Sequence, residues 1–419
     1  MNVTGTVRVP GDKSISHRSL LFSALADGRS RIRNILPSAD VHSTAGVLRT
    51  LGVAVPELSA DISIVGRGLG SLRAPSADLE CGNSGTTTRL VSGIAAACPF
   101  TSRFIGDASL SRRPMRRVAR PLTAMGARFE FEHDDGLPMV IHGAPLHAVE
   151  WTTNTASAQT KSAILLAGLV AGVPVTVREP ARSRDHTERM LGAMGVRIET
   201  GTTGVHLDPA QRLEPLDMSV PSDPSSAAFM AALAFLADDG ALAIPMVCLN
   251  ETRTGFFRAV AGMGARVDLC MGEPQGGEPV GTVVARASQL EAITLDPAEV
   301  PSMIDELPLL ACLAARAHGT TTITGAAELR VKESDRIATT VANLRALGVE
   351  ADELPDGMRV TGGRAPLRGA IRTHGDHRIA MAFGILGALP GNAIAIDDRA
   401  CVAVSYPTFW DDLQRAIVG

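Results

Sequence analysis

Lysine is almost absent from this chain. Lys and Arg together number 40 in 419 residues, yet only Lys13, Lys161 and Lys332 are lysines. An arginine-rich codon bias accounts for the depletion but not for where the three lysines lie. The surrounding residues predict a polar, loop-like stretch at each position. Because lysine is a compact charge that can release a proton, the retained lysines indicate sites where an arginine fork would not serve.

The chain also lacks the signatures of several protein classes. A net charge of −4 argues against general nucleic-acid binding but not against a local basic pocket. Six cysteines lie far apart without a C-x-x-C pair, which favours reduced structural thiols over a disulfide framework or a zinc site. No secretory signal pattern opens the chain, and residues 162–177 fall short of the roughly 18 apolar residues of a membrane span. We therefore expect a soluble, cytoplasmic protein with no nucleic-acid or membrane partner.

Two nucleotide-binding motifs are missing as well. Residues 5–14 do not form a Walker loop, because Asp12 stands where the glycine before the lysine is required. Residues 66–70 lack the last glycine spacing of a dinucleotide fingerprint. His374 and His377 have no third ligand nearby in the sequence, so a structural role is favoured over a metal site. A P-loop kinase and a Rossmann dehydrogenase are both disfavoured.

Six similar segments recur along the chain at intervals of 67 to 80 residues. In each, a turn rich in Gly, Ser, Thr or Asp leads into an Ala- and Leu-rich helical run. These turns begin at residues 11, 82, 155, 222, 302 and 374. A second set of helices ends at glycines that suit left-handed C-caps before a strand, namely Gly52, Gly126, Gly195, Gly264, Gly348 and Gly419. The pattern predicts one unit of about 70 residues used six times.

The two halves of the chain resemble each other. Residues 9–12 are similar to residues 220–223, which lie 211 positions later. Three repeats in each half predict two similar α/β domains. The expected first domain is 14–221, and the expected second domain is 1–13 together with 222–419.

The turns that begin the first set of helices are candidate anion-binding sites. A helix N-terminus offers unpaired N–H groups and a partial positive charge, and arginine adds bidentate clamps for phosphate or carboxylate. The cations beside these turns are Lys13, Arg18, Arg89, Arg113, Arg336 and Arg378. Asp305, Glu333 and Asp335 add carboxylates, a combination that favours proton transfer over binding alone.

Six separated motifs together resemble one enzyme family. They are Pro10 to Arg18 (PGDKSISHR), Gly82 to Thr87 (GNSGTT), Arg113 to Met115 (RPM), Ser157 to Gln159 (SAQ), Val331 to Arg336 (VKESDR) and Asp376 to Arg378 (DHR). In this order they closely resemble the 5-enolpyruvylshikimate-3-phosphate synthases, and the Ser-Ala-Gln motif is more similar to the second bacterial class. The resemblance implies the enolpyruvyl transferase fold. That fold has two inside-out α/β domains, each of three repeated units with parallel helices, and an active site in the cleft between them.

The resemblance also implies a reaction without metal or organic cofactor. The 5-hydroxyl of shikimate 3-phosphate would attack C2 of phosphoenolpyruvate while the methylene carbon is protonated, and phosphate would then leave. The activity would belong to the shikimate pathway, which leads to chorismate and the aromatic amino acids, and the enzyme would be a glyphosate target. We expect a monomer whose partners are these two small-molecule substrates.

The family's functional residues can be assigned by motif to positions of this chain. The implied contacts to shikimate 3-phosphate are Lys13, Ser14, Arg18, Ser157, Ala158, Gln159, Ser183, Arg184, Asp305 and Lys332. Those to phosphoenolpyruvate are Lys13, Gly85, Arg113, Gln159, Arg336 and Arg378. Asp305 is implied as the proton acceptor at the 5-hydroxyl, and Glu333 or Lys13 as the group that protonates the methylene.

The chain departs from the family pattern at a few positions. Val404 stands where many members have a lysine, so one expected phosphoenolpyruvate contact is missing or supplied elsewhere. Ala158 replaces a serine of the first class, and Glu328 stands where some members have asparagine. Lys161 matches no catalytic role, and solvation on a helix surface is expected for it.

Two other functions remain open at this point. A UDP-N-acetylglucosamine enolpyruvyl transferase shares fold and chemistry but should carry a reactive cysteine near Arg113, where this sequence has none. A non-catalytic binder of anions or RNA ends would leave Asp305, Lys332 and Glu333 unexplained and would favour a more basic charge.

Overall fold

The computed structural model describes residues 1–202, 204–209 and 212–418. The α-helices of this part of the chain are α1 (Lys13–Leu25), α2 (Ala39–Thr50), α3 (Gly85–Ala96), α4 (Ala108–Ser111), α5 (Arg116–Met125), α6 (Ala158–Ala171), α7 (His186–Ala193), α8 (Pro224–Phe235), α9 (Gly255–Gly262), α10 (Leu307–Ala314), α11 (Arg336–Ala346), α12 (His377–Gly387) and α13 (Phe409–Ala416). Short 3₁₀ turns span Pro297–Ser302, Ala327–Val331 and Ala400–Val404.

The strands of the same residues are β1 (Asn2–Thr6), β2 (Asp27–Arg33), β3 (Asp61–Arg67), β4 (Leu79–Glu80), β5 (Thr101–Ile105), β6 (Arg128–Phe131), β7 (Met139–His142), β8 (Val149–Thr152), β9 (Val175–Arg178), β10 (Ile198–Thr200), β11 (Gly204–Leu207), β12 (Asp217–Ser219), β13 (Asp239–Cys248), β14 (Arg266–Met271), β15 (Val280–Arg286), β16 (Thr320–Ile323), β17 (Ala351–Leu354), β18 (Gly357–Thr361), β19 (Arg368–Ile371), β20 (Ala393–Ile396) and β21 (Ile417–Val418). The chain divides into two compact units. The first unit is Gly11–Val220 with Gln275–Glu278, and the second unit is Met1–Pro10, Pro221–Pro274 and Pro279–Gly419.

Three sheets form the described part of the first unit, with strand orders β12-β2-β3, β4-β5-β7-β6 and β10-β11-β9-β8. Helix α1 packs on β3, α3 on β7 and α6 on β9, so each sheet covers one helix. Small side chains let α3 and α6 pack closely, and a Cβ at Gly93 would lie only 2.1 Å from the carbonyl oxygen of Ala163. Helices that are apolar all round are buried helices, which explains the Ala- and Leu-rich runs of the sequence.

The described residues of the second unit likewise form three sheets, with strand orders β14-β15-β13-β1-β21, β16-β18-β17 and β19-β20. The N-terminal strand β1 belongs here, because it pairs in parallel with β13 from Asn2 opposite Asp239 to Thr6 opposite Ala243. Helices α8, α10 and α12 are buried, and α10 packs against α12. Three sheets in each unit confirm the α/β class and the threefold repetition predicted for each half.

Side-chain caps explain why most of the first-set helices begin where they do. A side-chain oxygen at the N-cap accepts a hydrogen bond from a backbone N–H of the first turn, which satisfies one otherwise unpaired donor. The N-caps that act in this way are Asp12 for α1, Ser84 for α3, Ser157 for α6, Asp223 for α8 and Asp376 for α12. Helix α10 differs, because it follows Glu306 without such a bond.

Glycine ends the second set of helices, as predicted. The φ angles are +87° at Gly52, +123° at Gly126, +87° at Gly195, +89° at Gly264 and +83° at Gly348. A side chain is strained at such angles, so glycine is favoured at each stop. The sixth predicted stop, Gly419, lies outside the described residues.

Two of the three lysines do not lie in loops, so that prediction was wrong for them. Lys13 is the first residue of α1 and Lys161 lies in the first turn of α6, because the caps Asp12 and Ser157 begin each helix before the lysine. Lys332 lies between a 3₁₀ turn and α11, outside regular structure. Among the described residues, no helix is both long enough and apolar enough to cross a membrane.

Candidate active site

Hydrogen bonds between side chains join the N-terminal turns of α1, α3 and α6 in the first unit. The Gln159 amide of α6 donates to Thr86 Oγ1 of α3 over 3.0 Å. From α1, His17 Nδ1 lies 2.7 Å from Thr44 Oγ1, which lies 2.6 Å from Thr87 Oγ1 of α3. The structure therefore brings together the turns that sequence analysis singled out at residues 11, 82 and 155. We call this group the first cluster.

Lys13 lies in the first cluster as an ion pair. Its Nζ is 2.9 Å from Asp40 Oδ2, and both side chains are mostly buried. The carboxylate holds the ammonium in one place and offsets part of the cost of burying it. Sequence reasoning missed Asp40, because no motif marks this residue and only the packing of α1 against α2 brings it close.

Arg18 is buried and held by three hydrogen bonds. Its Nε donates to Thr187 Oγ1 at 2.8 Å, its Nη2 to Ser162 Oγ at 2.9 Å and its Nη1 to the carbonyl oxygen of Ser14 at 3.0 Å. Burial lowers the pKa of Arg18 to about 10, and the like charge of Arg184 adds to the decrease. Arg18 therefore remains charged at neutral pH, and two arginines within interaction range favour an anion beside them.

Gln159 is held at both ends of its amide. Besides the bond to Thr86, its Oε1 accepts from Arg89 Nη1 at 2.6 Å. Sequence analysis placed Arg89 among the candidate cations, and in the structure its guanidinium orients the Gln159 amide. A Cβ added to Gly85 would lie 2.7 Å from Arg89 Nη1 and 3.6 Å from Arg113 Nη1, so the glycine lies against two guanidinium groups.

Arg113 is oriented by the glycine-rich turn before α3. Its Nη2 donates to Asn83 Oδ1 at 2.6 Å and to Ser109 Oγ at 3.3 Å. Asn83 is fixed in turn, because its amide donates to Asp107 Oδ2 at 2.6 Å. The sequence motif contained Asn83 but gave it no function.

The remaining first-cluster residues lie at the start of α6 and before α7. Ser157 caps α6, and Ala158 is the first residue of that helix. Ser183 is buried and donates to Glu179 Oε1 at 2.6 Å, whereas Arg184 is partly exposed. These groups place backbone N–H donors and a cation near Arg18.

Lys161 is buried, and the expectation of surface solvation was wrong. Its Nζ lies 2.8 Å from Glu179 Oε2 and 2.8 Å from Glu188 Oε1, and its side chain is 4% exposed. Burial alone would lower the pKa of Lys161, but Glu188 and Glu179 outweigh burial and the pKa is raised. Residue spacing within α6 could not reveal this position, because residues 160–169 are all buried and leave no solvent-exposed face at Lys161.

A second cluster lies in the second unit around Arg336. Arg336 is buried and donates from Nε to Asp376 Oδ2 at 2.8 Å, from Nη2 to Glu333 Oε2 at 2.7 Å and from Nη1 to Asp305 Oδ1 at 3.1 Å. Burial alone would lower its pKa, but Asp376, Glu333 and Asp305 raise it, so Arg336 is a permanent cation. Lys332 Nζ lies 3.7 Å from the same Asp305 oxygen. The structure thus brings Asp305, Lys332, Glu333 and Arg336 together.

Arg378 and Asp376 complete the second cluster at the start of α12. Asp376 caps the helix by accepting from the backbone N–H of Arg378 at 3.0 Å while it holds Arg336. Arg378 Nη1 is buried and has no hydrogen-bond acceptor among the described residues. A buried guanidinium with an unused donor favours an anionic ligand. Sequence analysis quoted Asp376 in a motif but did not foresee that it orients Arg336.

The two clusters differ in the chemistry that they can support. The first cluster combines cations with helix N-termini and so suits anionic oxygens. The second combines cations with carboxylates, so that a carboxylate can accept a proton from a hydroxyl while cations hold negative charge.

Comparisons with known proteins agree with this chemistry. The family model described as EPSP synthase (3-phosphoshikimate 1-carboxyvinyltransferase) matches residues 1–413. Proteins named 3-phosphoshikimate 1-carboxyvinyltransferase include one from Sulfurihydrogenibium sp. (strain YO3AOP1), which is 45% identical over 99% of this chain and 97% of its own. The one from Bacillus subtilis (strain 168) is 44% identical over 98% of this chain and 96% of its own.

Solved structures are similar over the same extent. The EPSP synthase of Acinetobacter baumannii superposes with a TM-score of 0.87 and 39% identity, covering 99% of this chain and 96% of its own. The enolpyruvyl transferase NikO from Streptomyces tendae has a TM-score of 0.78 at 20% identity over 99% of this chain and 95% of its own, which supports the fold alone. On the family match and the relatives' identity over nearly its whole length, the chain belongs to the EPSP synthase family.

Proposed function

We propose that this protein transfers the enolpyruvyl group of phosphoenolpyruvate to the 5-hydroxyl of shikimate 3-phosphate and releases phosphate. The observation that carries the proposal is the identity of 45% over 99% of the chain to a relative named for this activity. The two clusters support it, because the substrates carry phosphate and carboxylate groups and the reaction moves protons.

The first cluster is assigned to anion binding. The 3-phosphate accepts hydrogen bonds at the start of α6 from Ser157, Ala158 and Gln159, and it is neutralised by Arg184 beside Ser183. A helix N-terminus with a nearby cation binds such a dianion favourably. The shikimate ring is held by Lys13, Ser14 and Arg18.

Phosphoenolpyruvate is assigned to Gly85 and Arg113 of the first cluster and to two arginines of the second. Gly85 leaves space beside Arg113, whose guanidinium has one edge fixed by Asn83. Gln159 and Lys13 contact both substrates in this proposal. Arg336 and Arg378 add charge for the phosphate and carboxylate groups, where the bidentate geometry of arginine is useful.

The second cluster is assigned to the proton transfers. Asp305 accepts the proton of the 5-hydroxyl as that oxygen attacks C2, and Lys332 orients the hydroxyls of the shikimate ring. Glu333, or alternatively Lys13 of the first cluster, delivers a proton to the methylene carbon, which becomes a methyl group in the tetrahedral intermediate. In the second half, one methyl proton returns to the base, the double bond forms again and phosphate leaves from C2. Groups within hydrogen-bond reach of the reacting atoms contribute about 10²- to 10⁴-fold each.

Steady-state kinetics with both substrates test the proposal. We expect phosphate release that depends on shikimate 3-phosphate and is not supported by UDP-N-acetylglucosamine. Asp305→Asn keeps the shape of the side chain but removes the base, so kcat should fall by about 10²-fold or more with smaller changes in KM. Asp352→Asn is the matched control, because Asp352 is an exposed residue of β17 paired with Arg345. Turnover with UDP-N-acetylglucosamine alone would contradict the proposal, as would full activity in Asp305→Asn.

A further inference from the structure

Lys161 has no role in the chemistry proposed above, yet its surroundings are ordered in detail. An ammonium has three N–H donors. The three acceptors here are Glu179 Oε2 at 2.8 Å, Glu188 Oε1 at 2.8 Å and the carbonyl oxygen of Ser183 at 3.5 Å. All three donors are therefore used within the protein, so Lys161 is not available to contact a substrate.

The three acceptors belong to one segment of chain. Glu179 directly follows β9, Ser183 lies in the loop, and Glu188 lies in the first turn of α7. The Lys161 ammonium thus contacts the loop of residues 179–185 at its first residue and near its middle, and it also contacts the helix that follows the loop. Ser183 is fixed a second time, because its Oγ donates to the other oxygen of Glu179 at 2.6 Å.

The same loop carries residues assigned to the 3-phosphate. Ser183 and Arg184 are adjacent, so the bonds that fix Ser183 also restrain the backbone from which the Arg184 side chain projects. Lys161 itself is two residues after Gln159 in the helix whose N-terminus is assigned to the same phosphate. Lys161 therefore connects the helix and the loop that both carry residues assigned to the 3-phosphate.

Arg18 is held by other residues of α6 and α7, each of which is adjacent in sequence to a member of the Lys161 group. Ser162 follows Lys161, Thr187 precedes Glu188, and both accept hydrogen bonds from Arg18 while their hydroxyls lie 2.7 Å apart. The bonds to Arg18 do not involve the ammonium. The loss of Lys161 should therefore affect the 3-phosphate more than the shikimate ring.

We propose that Lys161 is a positioning residue for the 3-phosphate of the substrate, acting through Ser183 and Arg184. This inference depends on the proposed function. It explains the retention of a lysine in an arginine-rich chain, because three acceptors converge on one nitrogen and a planar guanidinium would not match them.

Removing only the ammonium leaves two buried carboxylates facing each other, so Lys161→Met alone could fail to fold. The informative variant is Lys161→Met combined with Glu179→Gln and Glu188→Gln, which removes all three charges of this buried group together. Lys161→Arg is the second variant, because it keeps the charge but not the convergent geometry. Both are compared with Ile141→Ala, which opens a cavity at a buried residue of β7 in the same unit.

The measurements are KM for each substrate, kcat, and the inhibition constant of shikimate, which lacks the phosphate. In the triple variant, the KM of shikimate 3-phosphate should rise about 10- to 100-fold, because a small displacement of binding groups has effects of this size. The KM of phosphoenolpyruvate and the inhibition constant of shikimate should change far less. Lys161→Arg should lie between the triple variant and the unaltered chain, and Ile141→Ala should lower thermal stability without this selective effect.

Two results would overturn the inference while leaving the proposed function in place. One is an unchanged KM for shikimate 3-phosphate in both Lys161 variants. The other is an equal loss of affinity for shikimate and shikimate 3-phosphate, which indicates a general structural role. The absence of turnover in the unaltered chain is a different result, which would overturn the proposed function and the inference with it.

Discussion

At the residue scale, three of the buried cations are paired with specific carboxylates. Lys13 has Asp40, Lys161 has two glutamates, and Arg336 has three carboxylates. A buried ion is stable only when partners compensate for lost hydration, and removal of one partner costs about 3–5 kcal/mol. Substitutions in these groups therefore change stability as well as chemistry, and tests need controls that separate the two.

His17 gives a pH-dependent prediction. Burial lowers the pKa of this fully buried residue to about 3, and Nε2 has no hydrogen-bond partner among the described residues. The folded state therefore holds a neutral imidazole, whereas the unfolded chain takes up a proton below about pH 6.5. Stability attributable to His17 is present above pH 6.5 and is lost as the pH falls towards 3. Between pH 7 and pH 5 the loss should be about 2 kcal/mol.

Chemical denaturation of the unaltered chain and of His17→Gln at several pH values measures this effect. The free energy of unfolding of the variant should depend less steeply on pH between 7 and 5, whatever its absolute value. Equal slopes for the two proteins would show that His17 does not carry the effect. His318→Gln is the control, because His318 is exposed.

Gly85 gives a prediction about the space beside phosphoenolpyruvate. In Gly85→Ala the new methyl would lie 2.7 Å from Arg89 Nη1, so the guanidinium must move and the space beside Arg113 narrows. We expect a higher KM for phosphoenolpyruvate, by about 10-fold or more, and weaker inhibition by glyphosate. Gly46→Ala is the matched control in α2, because a Cβ there meets nothing within 4 Å. Unchanged inhibition by glyphosate in Gly85→Ala would contradict this view of the site.

At the scale of secondary-structure elements, the caps link helix stability to binding. Ser157→Ala removes the cap of α6, and Ser84→Ala removes that of α3. Each should cost about 1 kcal/mol of stability. Their effects on binding should differ, because the start of α6 is assigned to shikimate 3-phosphate and the start of α3 to phosphoenolpyruvate. Thermal denaturation and the KM values for the two substrates should be measured for both variants. A rise in the KM of the same substrate in both variants would contradict the assignment.

Elements with local signals could be predicted from the sequence. Turns such as that at Asp12 and stops such as Gly52 depend on a few neighbouring residues, so the sequence located them, although it placed Lys13 and Lys161 in loops and not in the first turn of a helix. Lys161 could not be predicted, because its burial depends on Glu179 and Glu188 from other elements. Asp40 was missed for the same reason, since only the packing of helices brings it to Lys13. The site residues that lie in motifs were named from the sequence, but the contacts that orient them required the structure.

At the scale of the whole molecule, the threefold repeat accounts for the arrangement of the candidate site. Each repeat supplies a buried helix, and the turn before a buried helix collects polar residues at its N-terminus. In the first unit these turns carry Lys13, Gly85 and Ser157, which suit anions. In the second unit the residues before α11 and at the start of α12 carry carboxylates and cations, which suit proton transfer. We propose that residues of both clusters take part in the one reaction.

The most direct test of enolpyruvyl transfer follows all phosphorus atoms in one sample by ³¹P nuclear magnetic resonance. With both substrates and the purified protein, the signal of phosphoenolpyruvate should decrease, and inorganic phosphate should appear in equal amount. The phosphate ester of shikimate 3-phosphate should persist and shift as the enolpyruvyl ether forms. Phosphate release from either substrate alone, loss of the shikimate ester, or no reaction with both present would contradict the account.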